Sequence, residues 1–155
     1  MILVPETLVA GVKAFEGFHR VIRWNPVPAA VPYICPAGYW TIGYGELCRA
    51  DHPEITEPEA ARRLQERLLP SYVADATRLS PGLPAAGSAR LSAIGSFVFN
   101  LGPTRYAAST LRRRVNAGDW AGAAGEVRKW VYGGGRVLPG LVRRREWEAG
   151  LLLRG

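Results

Sequence analysis

The segment YICPAGYWTIGYG, residues 33–45, decides the fold, because the chain changes here from helical patterning to short strands and turns. Aromatic and β-branched residues at positions 39–44 favour a strand, and Gly43 predicts a bend where the backbone approaches a neighbour closely. Four prolines within residues 24–38 exclude a continuous helix there. We therefore predict a small region of strands and loops at about residues 20–50.

Helical patterning lies on both sides of this region. Apolar residues recur at helical spacing over residues 8–15, and this first helix should end at Gly17. From Thr56 the pattern is helical to the end of the chain, and Thr56 and Glu59 have the spacing of a capping box. The other expected features are a kink or end at Pro70, an apolar helix from Ser88 as its N-cap to Leu101, and helices at 108–117, 119–131 (N-cap Asp119) and 139–153.

These patterns predict an α+β fold that is mainly helical. The small β-containing lobe at about residues 20–50 is joined by a larger helical lobe that both flanks build. A chain of 155 residues is long enough for one domain with a substantial core, but short for two independent ones. We therefore expect a single domain over residues 1–155.

The composition and net charge indicate what kind of protein this is and which classes of partner it favours. The hydrophobic fraction of 48% and the charged fraction of 21% are ordinary for a globular protein and exclude disorder. A net charge of +7 favours a polyanionic partner, either nucleic acid or a bacterial cell wall. No apolar run is long enough to span a bilayer, and the first residues lack the pattern of a secretion signal, so a soluble protein is expected.

Glu16 is the residue that could carry chemistry. It ends the first predicted helix and is followed by Gly17 and Phe18, so a carboxyl group lies where the helix meets the β region. A carboxyl group beside apolar side chains keeps its proton more readily and can donate it, as glycoside cleavage requires. The alternative is an ordinary solvated glutamate at a helix end.

The order of motifs resembles that of phage-type lysozymes, the endolysins of glycoside hydrolase family 24. Glu16-Gly17-Phe18, Cys35 and residues 41–45 (TIGYG) resemble the family's glutamate, aspartate-or-cysteine and threonine signature. The similarity runs from about residue 8 to residue 153. Tyr33 and Gly38 belong to the same signature. The later landmarks are Phe97, Phe99–Gly102, Ser109–Leu111, Asn116–Asp119, Trp130, Gly140–Leu141, Arg144, Arg145 and Glu148.

The resemblance implies a lysozyme-like catalytic domain with a cleft between its two lobes. Glu16 would be the general acid on the bond between N-acetylmuramic acid and N-acetylglucosamine, and Thr41 would help to hold the attacking water. Cys35 stands where many relatives have the aspartate. Its thiolate could act as a base or as a nucleophile, whereas a neutral thiol would be a poorer base. The candidate substrate-binding residues are Tyr33, Asn100, Trp24 and Arg145.

Two departures from the family pattern concern this site. The segment between Glu16 and Cys35 is about ten residues longer than the family suggests, which is compatible with a longer loop at the cleft edge. Trp24 within it could stack on a sugar, although we expect it to cover local core. Glu46 replaces the family's common histidine. If residues 41–46 are extended, Glu46 points away from Thr41, and a salt bridge to an arginine of the helical lobe is expected.

The arginines of the helical lobe have different expected roles. Arg144 and Arg145 are placed four and three residues before Glu148, so one of them can pair with it. The resemblance suggests that one of the two also reaches Glu16. For Arg112–Arg114 we expect a solvated basic face.

The cysteines leave several arrangements open. A hairpin could join Cys35 and Cys48 in a disulfide, but free thiols are expected in a reducing compartment. A zinc site from Cys35, Cys48, His19 and His52 has suitable ligand types without a recognised spacing. We expect no cofactor and no metal.

The sequence thus predicts a monomeric endolysin muramidase that hydrolyses the β-1,4 bonds of bacterial peptidoglycan and lyses the cell. The alternative is a non-catalytic cationic module that binds the cell wall or acts as an antimicrobial agent. Nucleic-acid binding is disfavoured because no groove-reading motif is present. No stable membrane insertion is expected; the family implies a protein held in the host bacterial cytoplasm until a holin allows its release to the wall.

Overall fold

The computed structural model describes residues 2–155 and is mainly helical with short antiparallel strands. The α+β prediction is therefore confirmed. The chain forms two compact units. One consists of Val9–Leu69 and is called the sheet unit below; the other consists of the residues up to Leu8 with Pro70–Gly155 and is called the helical unit.

The sheet unit holds six short strands in two three-stranded antiparallel sheets. Helix α1 (Glu6–Glu16) leads into them, and helix α2 (Glu57–Arg63) follows them. The first sheet has the order β1-β2-β6, and the second has the order β3-β4-β5. The strands are β1 (Val21–Arg23), β2 (Ala29–Ala30), β3 (Tyr33–Ile34), β4 (Trp40–Ile42), β5 (Glu46–Leu47) and β6 (Ile55–Thr56).

The bend predicted at Gly43 is present between β4 and β5. Gly43 has a φ of +62°, a conformation that L side chains rarely adopt. A Cβ atom at this position would lie 3.0 Å from the Cβ of Ala60 in α2. The turn therefore requires glycine for its backbone conformation and for its close packing against α2.

The helical unit is built around helix α4 (Ser88–Leu101), in which eight consecutive residues from Leu91 to Val98 are buried. A helix with apolar residues on all sides is expected at the centre of a core. Helix α8 (Pro139–Arg154) packs on α4 and on α7 (Trp120–Val127). The other helices are α3 (Leu69–Leu79), α5 (Pro103–Ala107) and α6 (Thr110–Asn116), and a hairpin of β7 (Tyr132–Gly133) and β8 (Arg136–Val137) precedes α8.

The aromatic centre of this core is Phe97. Its ring meets those of Tyr106 and Trp130 edge-on, with centroids 6.0 and 5.3 Å away, a favourable arrangement for aromatic pairs. On another turn of α4, Gly95 lies against Leu8, since a Cβ here would approach the Leu8 side chain to 2.8 Å. The small residue permits this close approach of Leu8 to α4.

Two predicted N-caps are confirmed and one is wrong. Thr56 accepts a hydrogen bond from the Glu59 amide at 3.4 Å, and Asp119 accepts one from the Gly122 amide at 2.9 Å. Ser88, in contrast, is the first residue of α4. Gly87, with a φ of +106°, occupies the N-cap position and has no side chain that could accept a hydrogen bond. Because a 3-10 turn directly precedes Gly87, α4 begins one residue earlier than predicted.

Several helix ends differ from the sequence prediction. Residues Leu64–Leu68 form a π-helical turn before α3, and this irregularity ends two residues before Pro70, where a kink or end was predicted. Helix α5 was not predicted, because Pro103 was treated only as a stop and also suits the first position of a helix. Helix α7 ends at Val127 rather than 131, since the chain then enters the β7–β8 hairpin. No helix within residues 2–155 is both long and apolar enough to cross a membrane.

Candidate active site

Glu16 is the last residue of α1 and is half-buried. Gly17 follows with a φ of +76°, and a Cβ there would approach the His19 ring to 3.1 Å. The His19 ring lies against the same turn, with Nε2 donating to the Glu16 carbonyl at 2.6 Å. The glycine turn and the histidine together define where α1 ends, and the carboxyl group is presented at the helix end as predicted.

Cys35 and Thr41 are held by neighbouring strands of the second sheet. Tyr33 of β3 stands opposite Thr41 of β4. Beyond β3, the Cys35 amide donates to the Tyr39 carbonyl at 3.0 Å, and the Gly38 amide donates to the Cys35 carbonyl at 2.8 Å. This tight turn places the sulfur of Cys35 beside the hydroxyl of Thr41.

The Thr41 hydroxyl group has two acceptors for its single proton. It donates to the Tyr39 carbonyl at 3.0 Å, and its hydrogen bond to the Cys35 sulfur is the largest cause that lowers the pKa of that thiol, followed by the backbone contact at Tyr39. When the sulfur is ionised, the hydroxyl can turn towards it, because a thiolate is the stronger acceptor. The pair therefore favours a thiolate at Cys35.

The phenol of Tyr33 is affected by both the predicted acid and the predicted thiol. Burial raises the pKa of its phenol, and the negative charges of Glu16, Cys35 and Cys48 raise it further. The His19 ring also meets the Tyr33 ring edge-on at 5.5 Å. His19 therefore contacts both the end of α1 and Tyr33, which precedes Cys35 by two residues, so the predicted acid and the predicted thiol belong to one part of the sheet unit.

The two thiols differ in their chemistry. Both are free, as the sequence analysis expected. Burial, followed by the charge of Glu46, raises the pKa of Cys48, whereas the pKa of Cys35 is lowered. Cys35 is therefore the thiol better suited to act as a base or nucleophile. Within residues 2–155 there is no group of three or more potential metal ligands.

An ion pair that the sequence analysis missed stabilises the end of α1. Lys13 Nζ lies 2.7 Å from a carboxylate oxygen of Glu57 in α2, and the Tyr44 hydroxyl donates to the same oxygen at 2.8 Å. Burial opposes ionisation of Glu57, but the bonds from Lys13 and Tyr44 lower its pKa. The Phe18 ring packs on Tyr44 with centroids 5.6 Å apart. A pairing across more than forty positions leaves no local signal in the sequence.

Glu46 forms the expected salt bridge, although the reasoning about its strand was wrong. Its carboxylate lies 3.6 Å from Arg63 and 3.7 Å from Arg67. Residues 41–46 are not one extended strand, because the Gly43 turn separates β4 from β5 and Glu46 pairs with Ile42 across the hairpin. Arg63 and Arg67 follow residue 50, so they belong to the helical flank that was predicted to supply the partner, although the structure groups them with the sheet unit.

Trp24 does not cover local core, so that expectation is wrong. It lies between β1 and β2, and 68% of its surface is exposed. The long segment between Glu16 and Cys35 pairs with itself as a hairpin and with β6, and Trp24 lies in the connection between the two strands of that hairpin.

Arg145 and Asn100 lie in the helical unit. The Arg145 side chain is fully buried, donates to Asn100 Oδ1 at 2.9 Å and lies 2.7 Å from Glu148 Oε2. Arg144 lies 3.6 Å from the other Glu148 oxygen, so both arginines pair with this glutamate. Burial raises the pKa of Glu148 and lowers that of Arg145, and the attraction between their charges acts against both shifts.

The solvated face expected for Arg112–Arg114 is wrong for Arg112. Its guanidinium donates to the carbonyls of Leu79 at 2.9 Å and Ala107 at 3.2 Å. These carbonyls end α3 and α5, where unpaired backbone acceptors need a partner. Arg113 and Arg114 remain exposed.

Comparison with known proteins agrees with these features. The chain matches the Phage lysozyme family over residues 13–148. It is 36% identical over 126 residues to an endolysin of Acyrthosiphon pisum secondary endosymbiont phage 1, which covers 77% of this chain and 83% of that protein. It is 34% identical to a SAR-endolysin of Escherichia phage Mu, over 94% of this chain and 90% of that protein.

A similar solved structure is the muramidase domain of SpmX from Asticaccaulis excentricus. It superposes with a TM-score of 0.79 at 28% identity and covers 99% of both chains. The family match spans most of the chain and includes Glu16, Cys35 and Thr41. This chain belongs to the phage lysozyme family.

Proposed function

We propose that this member of the phage lysozyme family is an endolysin muramidase whose catalytic residues are Glu16, Cys35 and Thr41. Its substrate is bacterial peptidoglycan, and the bond it cleaves is the β-1,4 link between N-acetylmuramic acid and N-acetylglucosamine. The observation that supports the assignment of the residues is the geometry around Tyr33. His19 contacts both the Glu16 carbonyl and the Tyr33 ring, and Tyr33 stands opposite Thr41 and two residues before Cys35. A proton donor and an ionisable thiol near one another are the two groups that glycoside hydrolysis needs.

Each residue has a defined part in the reaction. The Glu16 carboxyl group gives its proton to the glycosidic oxygen as the bond from that oxygen to the sugar C1 breaks. A water molecule oriented by Thr41 adds its oxygen to C1, and its proton passes to the Cys35 thiolate. In the second route open to a thiolate, the sulfur attacks C1 first and water then releases the sugar.

The proposed substrate contacts are Tyr33, Trp24 and Asn100. Arg145 is fully buried, so we assign it a positioning role: it donates to Asn100 Oδ1 and leaves the amide protons of Asn100 available to a ligand. The proposal treats residues 1–155 as one catalytic domain. Its positive charge of +7 would favour adsorption to an anionic cell wall.

The proposed protein acts as a monomer. It moves from the host cytoplasm to the cell wall by a path that depends on a holin. The relative from phage Mu is a SAR-endolysin. Expression of this chain in bacteria with and without a co-expressed holin tests the path. Lysis that depends on the holin supports it, and equal lysis without the holin contradicts it.

The chemistry is tested by mass spectrometry of soluble fragments after purified peptidoglycan is incubated with the protein. We expect muropeptides with reducing N-acetylmuramic acid ends from the wild type and none from Glu16→Gln. Glu6→Gln, at the other end of the same helix, is the matched control and should retain activity. Cys35→Ser should lose most activity, whereas Cys48→Ser should keep it.

The same experiment separates the catalytic and non-catalytic functions. If the wild type binds the wall and leaves the glycan uncut, the muramidase assignment is wrong, and the non-catalytic cationic module is the better description. If Glu16→Gln retains cleavage, the general acid has been assigned to the wrong residue.

A further inference from the structure

A short arm, residues 21–30, displays apolar side chains to solvent. It consists of β1, β2 and the loop between them. Ile22, Trp24 and Val27 are 55%, 68% and 36% exposed. Exposed apolar residues are common singly, but three on ten residues with a tryptophan among them are typical of a contact surface.

The arm is held in place by several interactions at its base. The guanidinium of Arg23 makes two hydrogen bonds with the Glu54 carboxylate, at 2.6 and 3.0 Å. Strand β2 pairs with β6, and the Glu57 amide donates to the Pro28 carbonyl at 2.8 Å. These contacts order the arm before any ligand binds, which lowers the entropy cost of binding.

The charge of the arm favours a neutral ligand. Arg23 is the single charged residue within 21–30, and Glu54 neutralises it. An anionic lipid or wall polymer would require unpaired positive charge here, which the arm does not provide. An exposed indole that is followed in the sequence by the amide residue Asn25 instead suits a sugar, which offers an apolar ring face and hydrogen-bonding groups together.

The arm begins and ends next to the proposed active site. It starts five residues after Glu16 and ends three residues before Tyr33, and the Val31 amide donates to the Arg20 carbonyl at 3.2 Å to close its base. His19 contacts both the Glu16 carbonyl and the Tyr33 ring beside this base. At the usual rise of about 3.3 Å per residue, three strand residues extend about 10 Å from it.

We propose that the arm is an additional glycan-binding subsite, in which Trp24 stacks on a sugar ring remote from the bond that is cleaved. The Asn25 amide hydrogen-bonds to the same sugar. The inference rests on the proposed function, because the ligand is the same uncharged glycan backbone of peptidoglycan. Its consequence is a preference for long glycan strands over short ones.

Binding is tested without hydrolysis, in the Glu16→Gln protein. The probe is a fluorescently labelled peptidoglycan glycan strand from which an amidase has removed the peptides and in which the freed lactyl carboxyl groups have been amidated, so that the strand is uncharged. Its anisotropy reports affinity. Trp24→Ala should weaken binding about five- to tenfold, the loss of one aromatic stacking contact. Trp24→Phe should restore most of the affinity. The matched control is Tyr132→Ala, an aromatic residue that is 67% exposed on the β7–β8 hairpin, and it should leave affinity unchanged.

The outcomes distinguish this inference from the proposed function. Unchanged affinity in Trp24→Ala, or an equal loss in Tyr132→Ala, overturns the subsite even if the protein cleaves peptidoglycan. A loss of binding to phosphatidylglycerol vesicles with glycan binding intact would overturn it in favour of a membrane surface. In the cleavage-competent protein, Trp24→Ala should raise KM on long strands with little change in kcat, whereas a structural defect would lower kcat on strands of every length.

Discussion

Replacing Glu148 with glutamine removes the negative charge from a fully buried cluster in the helical unit. Its Oε2 lies 2.7 Å from Arg145 Nε, and its Oε1 accepts from Ser96 at 2.6 Å and from Arg145 at 3.0 Å. The 2.7 Å contact lacks the geometry of a hydrogen bond, so charge attraction accounts for it. Glutamine keeps the shape and loses that attraction, leaving Arg145 with an uncompensated charge.

The expected destabilisation is large. Removing one partner from a buried ion pair costs about 3–5 kcal/mol, because the remaining charge stays desolvated. This is a large share of the roughly 5–15 kcal/mol that stabilises a typical domain. At about 2–4 °C for each kcal/mol in a chain of this size, the midpoint of thermal unfolding should fall by about 6–20 °C.

The assay is urea unfolding followed by circular dichroism, with thermal unfolding as a second measurement. The matched control is Glu146→Gln on the same helix. Glu146 lies 3.0 Å from Arg128, but its side chain is 55% exposed, so its loss should cost less than about 1 kcal/mol. Equal effects of the two substitutions, or a loss below about 1 kcal/mol for Glu148→Gln, would refute the argument that burial determines the cost.

Three further predictions concern other contacts. Because Thr41 lowers the pKa of Cys35, hydrolysis that uses the thiolate should rise with pH as the thiol ionises, and Thr41→Val should move this rise to higher pH in a pH-rate measurement; an unmoved profile would contradict the effect of the Thr41 hydroxyl on the thiol. Tyr106→Phe removes the buried 2.7 Å hydrogen bond to Ser80 and should cost about 1–3 kcal/mol in urea unfolding, against no loss if water replaces it. Asp119→Ala should cost about 1 kcal/mol in the same assay, and Asp119→Asn, which can still cap, should recover most of it.

Local signals in the sequence predicted much of the fold. The apolar run of α4, the end of α1 before Gly17 and the caps at Thr56 and Asp119 each depend on residues within a few positions of one another. Such signals act through backbone conformation and hydrogen bonds to near neighbours, so they persist whatever the rest of the chain does. The prediction that Ser88 caps α4 was wrong, because the preceding turn moved the start of that helix by one residue.

Part of the candidate site was predicted from the sequence, and part became apparent only in the folded structure. Glu16, Cys35 and Thr41 were identified from motifs, but their common neighbour Tyr33 and the hydroxyl-to-sulfur contact became visible only in the folded sheet. The Lys13–Glu57 pair had no sequence signal at all. Trp24 was expected in the core because isolated tryptophans usually pack, and only the folded hairpin shows that this one is exposed.

The sequence by itself determined the fold class, most helix positions and the residues with suitable chemistry, because periodicity, glycine turns and motif order are properties of neighbouring residues. The tertiary structure decided which thiol favours its ionised form, which arginines are buried and which tryptophan faces solvent. These properties depend on desolvation and on charges brought together from distant positions. Both arise only when the chain has folded.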